Sequence, residues 1–266
     1  MSIKTEIKNQ TATVTLNRPE VHNALNEEMI SGLTNIFCDL GKNESIRVIV
    51  LASEGKTFCA GADLNWMSSM LNFTLEENIA DAKRLSCMLR TIHECPKPVI
   101  CRVQGAAFGG GVGLISACDM VVAIETATFC LSEVKIGLIP AVISPFVLEK
   151  MPVSFARRYF LTAERFGSQE ALRMGFISEV VTETESLDKT IGGWIKAILE
   201  NAPEAISLCK VHIRDILSSS FDEGLEHAAC AIAERRISKE GQEGMKAFFE
   251  KRKPYWVIEN GDKQKC

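Results

Sequence analysis

The sequence predicts an α/β protein, a core of alternating strands and helices followed by a helical C-terminal region. Two patterns predict it. In the first half, short apolar or alternating runs take turns with segments of helical spacing. From about Ser144 onward the spacing is mostly helical, clearest in PEAISLCKVHIRDIL and LEHAACAIAERRIS. The reading divides the chain into a core over 1–200 and a helical region over 201–266.

The elements follow in order. TATVTL (Thr11–Leu16) alternates threonine with apolar residues, as a strand with one buried face does. NRPEVHNAL then reads as a loop. Asn26 stands where a helix N-cap belongs, with Glu27 and Glu28 in the first turn, where the helix dipole favours acids. Met29, Leu33, Ile36, Phe37 and Leu40 recur at helical spacing and give that helix one apolar face. RVIVLAS (Arg47–Ser53) is almost continuously apolar, as in a strand covered on both faces. EGKTFCAGADL reads as a glycine-containing loop, and a helix runs roughly from Glu76 to Cys95. PKPVICRVQG supplies a strand closed by Gly105, and MVVAIE (Met120–Glu125) another. No internal repeat, linker or low-complexity segment is visible, and the polar tail VIENGDKQKC reads as frayed.

Composition narrows the function class. Hydrophobic residues at 46 % and charged residues at 24 % are the balance of a soluble globular chain. A net charge of −4 and a pI of about 5.7 argue against a nucleic-acid or anionic-membrane partner. The start MSIKTEIKNQ is polar, and no apolar run approaches the about 18 residues of a membrane span, so a cytoplasmic location is expected. Ten cysteines include no Cys-x-x-Cys pair and fall mostly in apolar runs, such as Cys38 in NIFCDL, Cys101 in VICRV and Cys130 in TFCLS. They read as buried free thiols in a reducing compartment. His22, His93, His212 and His227 are scattered without metal-ligand spacing, so no metal is expected.

Chemistry concentrates in QGAAFGGGVGLISACD (Gln104–Asp119), where glycines crowd the mouth of an apolar helix. Its G-x-G-x-x-S comes close to a dinucleotide fingerprint, with Glu133 about 20 residues on. The context disagrees: AAFGG intervenes after the strand-ending Gly105, and the following strand ends at Glu125. A phosphate-binding P-loop is excluded because no Gly-Lys-Ser/Thr follows. FCAGADL (Phe58–Leu64) has the same placement, after an apolar strand and before a helix. Glycines admit a ligand close to the backbone, and helix N-termini present unpaired N–H groups. Two such donors on different loops can make an oxyanion hole, each worth roughly 3–4 kcal/mol in a transition state.

Six blocks, in order, resemble the crotonase superfamily of enoyl-CoA hydratases and isomerases: LNRPEVHNAL, FCAGADL, VQGAAFGGGVGLISACD, FCLSEVKIGLIP, RFGSQEALRMGFISEVV and EGMKAFFEKRKP. The resemblance spans almost the whole chain. It implies a ββα spiral core, a helical C-terminal trimerisation region, and a homotrimer or hexamer. It implies an acyl-CoA thioester as substrate, with coenzyme A belonging to that substrate and no separate cofactor. The N–H groups of Ala62 and Gly110 would hold the thioester oxygen. Ala60, Asp63 and Leu64 would line the CoA through their backbone, beside Asn65 and the loop of His22, Asn23, Ala24 and Leu25. Trp66 and Met67 shape an acyl pocket or fill the core, and Phe248 and Lys251 match a C-terminal segment that reaches a CoA.

Hydratases of this family commonly use two glutamates. The resemblance assigns one to Glu133, while the other position is Gly113. GADLNWM, FCLSEVKIGLIPAVISPFV and EGQEGMKAFFEKRKP look like the bacterial methylglutaconyl-CoA hydratase branch of leucine breakdown, with AVISPFV where many relatives carry a glycine-rich turn. The expectation is hydration of a branched 2-enoyl-CoA, with Glu133 as base and acid. A 3-enoyl-CoA isomerase and an acyl-CoA-binding protein without turnover are the alternatives.

Overall fold

Threonine and apolar residues alternate along TATVTL, and in the computed structural model Ala12, Val14 and Leu16 point into the core while the threonines are half-buried. The structure describes residues 1–257. The tail read as frayed therefore lies, apart from Val257, outside the described residues.

The elements are β1 (Ile3–Lys8), β2 (Thr11–Leu16), α1 (Glu27–Lys42), β3 (Val48–Ser53), β4 (Thr57–Cys59), α2 (Leu64–Met70) and α3 (Leu75–His93). Then come β5 (Val99–Val103), β6 (Ala106–Phe108), α4 (Gly110–Ala117), β7 (Met120–Ile124), β8 (Thr128–Cys130), α5 (Ser144–Lys150) and α6 (Val153–Thr162). The chain continues through β9 (Phe166–Gly167), α7 (Ser168–Arg173), β10 (Glu179–Val181), α8 (Thr184–Glu200), α9 (Pro203–Ser218), α10 (Phe221–Ile237) and α11 (Lys239–Phe249). It divides into two compact units, Met1–Gly192 and Gly193–Cys266.

The first unit repeats one device. β3, β5 and β7 lie side by side in a six-stranded sheet of order β1-β2-β3-β5-β7-β10, parallel from β2 onward. The strand after each one, β4, β6 and β8, turns into a second sheet of order β4-β6-β8-β9. The ββα repeat is thus structural although the sequence shows no repeat. β3 is buried at every residue, as a strand inside a parallel sheet must be. Asn26 caps α1 by accepting from Met29 N–H at 2.9 Å, and Met29, Leu33, Phe37 and Leu40 are buried.

One strand went unread and two readings need correction. The polar start forms β1, an antiparallel edge strand that buries only Ile3. The segments read as glycine loops hold β4 and β6, three-residue strands too short to show alternation. Among the described cysteines, Cys59, Cys95, Cys101, Cys118 and Cys130 are buried, but Cys38, Cys87, Cys209 and Cys230 are exposed. Cys38 follows the buried Phe37 on α1 and so falls on its outer side.

The second unit holds α9, α10 and α11. Glu240 is 2 % exposed and clasps them internally: it accepts from Glu204 N–H at 2.9 Å and Ala205 N–H at 2.8 Å, and pairs with Arg235 at 2.7 Å. The carboxylate thus satisfies the free N–H groups that open α9. Among the described residues no helix is long and apolar enough to cross a membrane, and no cluster of His, Cys, Asp and Glu could hold a metal.

Candidate active site

Two loops are zipped together along their backbones. Ala60 N–H donates to His22 O at 3.0 Å, Leu25 N–H to Gly61 O at 2.7 Å, and Asp63 N–H to Leu25 O at 2.8 Å. Leu25 and Ala62 thereby form a parallel bridge in which the neighbours of Ala62 make the bonds. The N–H of Ala62 itself faces away from Leu25 and meets no acceptor among the described residues.

Side chains lock this arrangement. Arg18 donates to Ala24 O at 2.9 Å and pairs with Asp63 Oδ2 at 2.9 Å. Asp63 Oδ1 caps α2, accepting from Asn65 N–H at 2.9 Å. Burial pushes the Asp63 carboxyl upward, but hydrogen bonds from Arg18, Asn65 and Trp66 outweigh it and hold the group below its usual value. Asp63 is thus an anchored anion that fixes Ala62.

The placement of Asn23 against CoA needs correction. Asn23 is fully buried; its amide donates to Glu54 O at 2.8 Å and Thr57 O at 2.9 Å while Oδ1 accepts from Arg18 N–H at 2.8 Å. It ties the loop down and offers a ligand no surface. His22, Leu64 and Asn65 are exposed, Ala60 and Ala62 are half-buried, and Ala24 and Leu25 are buried. Trp66 joins the hydrophobic core, leaving its indole N–H unpartnered among the described residues, and Met67 is half-buried. Phe248 and Lys251 are exposed on the second unit.

The glycine cluster faces these loops. Gly109 N–H donates to Cys130 O at 2.9 Å, joining the ends of β6 and β8. Gly110 opens α4, so its N–H has no partner within the helix, and none is recorded elsewhere among the described residues. Gly111, the next residue of α4, likewise has no recorded acceptor for its N–H among the described residues, so the helix opens with adjacent free donors, Gly110 first. The two loops meet here: a methyl built on Gly61, the residue before Ala62, would stand 3.7 Å from Gly110 N.

Glu133 completes the site. It opens a short 3₁₀ turn, Glu133–Ile136, just beyond β8. A methyl on Gly109 would stand 3.1 Å from Glu133 Oε1, so the carboxylate rests directly on the bare backbone of that glycine. Gly109 also has φ +47°, a region that side chains disfavour. Glu133 Oε2 is buried and has no hydrogen-bond partner among the described residues. Burial raises its carboxyl above the usual glutamate value, against a smaller lowering by its own backbone N–H. A carboxylate of this kind, with one oxygen unpartnered beside the glycine that caps α4, can move a proton on a substrate whose oxygen the free N–H groups hold.

The enoyl-CoA hydratase/isomerase family model matches residues 6–259. The chain belongs to this family. Its fold is that of crotonases: it is similar to the enoyl-CoA hydratase structure from Shewanella pealeana, with a TM-score of 0.93, 42 % identity and 96 % of each chain covered. It is 35 % identical to the enoyl-CoA hydratase AKT6-1 of Alternaria alternata, over 91 % of this chain and 80 % of that protein. It is also 32 % identical to the peroxisomal Delta(3,5)-Delta(2,4)-dienoyl-CoA isomerase of Arabidopsis thaliana, over 90 % of each. The protein is thus an enoyl-CoA hydratase/isomerase.

Arg18 escaped the sequence reading, and Gly109 entered it only as a member of the glycine cluster, not as the seat of Glu133. Arg18 stands inside the quoted LNRPEVHNAL block, and its partner Asp63 lies 45 residues away. A basic residue in a block followed by an acid in the next one is the only signal that could have found the pair.

Proposed function

We propose that this enzyme adds water to a 2-enoyl-CoA, with branched 3-methylglutaconyl-CoA as its substrate. One observation carries the reading: a partly buried Glu133 carboxylate with Oε2 unpartnered, lying over Gly109, the residue before the free donor Gly110. Ala62 and Gly110 N–H hold the thioester oxygen. Water attacks C3, the C2=C3 electrons move onto that oxygen as an enolate, and Glu133 takes the proton that water loses. Glu133 then returns a proton to C2, and the thioester carbonyl re-forms. Fixed donors stabilise the enolate without solvent reorganisation. The raised carboxyl suits a group that must both take and give a proton near neutrality.

The backbone of Ala60, Asp63 and Leu64 lines the CoA in this reading. The branched acyl group is supported by the GADLNWM and AVISPFV likeness; a role in leucine breakdown, in the cytoplasm, is part of the same proposal. A homotrimer or hexamer is supported by large exposed apolar residues on the second unit, including Phe221 at 81 %, Ile237 at 81 % and Phe248 at 78 %. A second reading is favoured by Gly113, which leaves a single carboxylate. One carboxylate suffices to take a proton from C2 of a 3-enoyl-CoA and return it at C4.

A product assay tests this reading. Crotonyl-CoA, 3-methylglutaconyl-CoA and a 3-enoyl-CoA are each incubated with enzyme. Hydroxyacyl products, most rapidly from the branched ester, are expected. Double-bond migration without hydration would replace this reading by the isomerase, and CoA binding without any product would leave only a binding protein.

A further inference from the structure

Gly109 is the N-cap of α4 and Gly113 follows four residues later, about 6 Å along the axis. Gly113 N–H donates to Gly109 O at 3.2 Å. The two positions are covered differently. Glu133 Oε1 lies over Gly109, and Ile143 lies over Gly113. A methyl on Gly113 would overlap Ile143 Cγ2 and stand 3.1 Å from Ile143 Cβ and 3.4 Å from Leu89 Cδ1.

Ile143 has little freedom to give way. Its Cγ2 is bonded directly to a branched Cβ, so χ1 is stiff and the neighbouring Cβ stays close in any rotamer. The residue is 3 % exposed, and its carbonyl accepts from Val147 N–H at 3.0 Å as α5 begins. Leu89, on α3, closes the other side. Position 113 is filled by its neighbours, not left vacant.

We propose that Ile143 is a specificity-determining residue: by filling the space over Gly113 it keeps a second proton-transferring side chain out of the turn of α4 that follows Gly109, on which Glu133 rests. The enzyme is thereby held to chemistry that a single carboxylate can perform, and the balance between water addition and proton return depends on this apolar wall. The inference rests on the enoyl-CoA reading of the site. Its steric half stands independently.

Two measurements test it. Melting temperatures are compared for wild type, Gly113→Ala, Ile143→Ala and the double variant. Gly113→Ala should lower Tm by about several degrees in the wild-type background and by much less once Ile143 is cut back. An equal loss in both backgrounds would overturn the packing claim, whether or not any enoyl-CoA is turned over. In parallel, Gly113→Glu, Ile143→Ala and the Gly113→Glu/Ile143→Ala pair are assayed on crotonyl-CoA and a 3-enoyl-CoA from about pH 5 to 9. Gly113→Glu alone should lose at least about tenfold in kcat/KM through overpacking. The pair should recover it, with a higher ratio of hydration to isomerisation and an additional ionisation in its pH profile. Wild-type activity in Gly113→Glu, or a pair whose product ratio and pH profile match those of Ile143→Ala, would overturn the proposal. Failure of wild type to act on any enoyl-CoA would instead strike the functional reading.

Discussion

At Gly109 and Gly110 the entrance of α4 meets a carboxylate with one oxygen unpartnered and keeps an N–H free, whereas about one turn later, at Gly113, the helix is sealed by Ile143 and Leu89. Three glycines, one capping a short helix and two within it, thus serve different ends. Gly109 makes room for Glu133, Gly110 offers a donor, and Gly113 admits an apolar neighbour. The contrast teaches that a glycine's role is read from what approaches it. A carboxylate approaches Gly109, whereas branched hydrocarbons approach Gly110 (Leu25) and Gly113 (Ile143), and what sets Gly110 apart is its free N–H.

The contrast can be broken at its polar end first. Gly110→Pro removes the free N–H while keeping a residue that is tolerated at the first position of a helix. Turnover of the preferred enoyl-CoA should fall about 10²- to 10³-fold with the helix content unchanged by circular dichroism. A loss of less than about tenfold in a folded variant would remove this donor from the account. Gly109→Ala comes next. It forces a side chain into φ +47° and against Glu133 Oε1. A loss of about 1–3 kcal/mol in urea unfolding is expected, with kcat reduced more than KM is changed. Retention of both kcat and stability would show that the carboxylate does not need the bare glycine.

The smallest effect is on the pH dependence of stability. Burial raises the Glu133 carboxyl in the folded state, so the folded chain binds that proton more tightly than the unfolded chain does. The contribution of Glu133 therefore falls as pH rises from its unfolded value, about 4.3, through its raised folded value, and is level above that. Glu133→Gln lacks this loss, so its stability advantage over wild type should widen across the window. Urea unfolding measured at several pH values checks it. A difference independent of pH would contradict the desolvated carboxylate.

What the sequence made legible was local or periodic. β2 showed its alternation, α1 its cap and apolar face, and β3 its continuous apolar run. The strands β4, β6 and β8 did not show, because TFC, AAF and TFC are too short for a period to repeat. At the site, Glu133, Ala62 and Gly110 became visible through resemblance across whole blocks; no local pattern marks a backbone N–H as unpaired. The part played by Asn23 was hidden because its bonds run to Glu54 and Thr57, more than 30 residues on. Ile143 over Gly113 is hidden for the same reason: the contact joins positions 30 residues apart, and only the folded chain brings them together.

The central claim is that one carboxylate performs both proton transfers. Its most direct test is hydration of crotonyl-CoA and 3-methylglutaconyl-CoA by wild type and Glu133→Gln, with KM measured beside kcat. The account predicts a fall in kcat of about 10²- to 10⁴-fold, with KM nearly unchanged because the backbone donors and the CoA loop remain. Undiminished turnover in Glu133→Gln would contradict it.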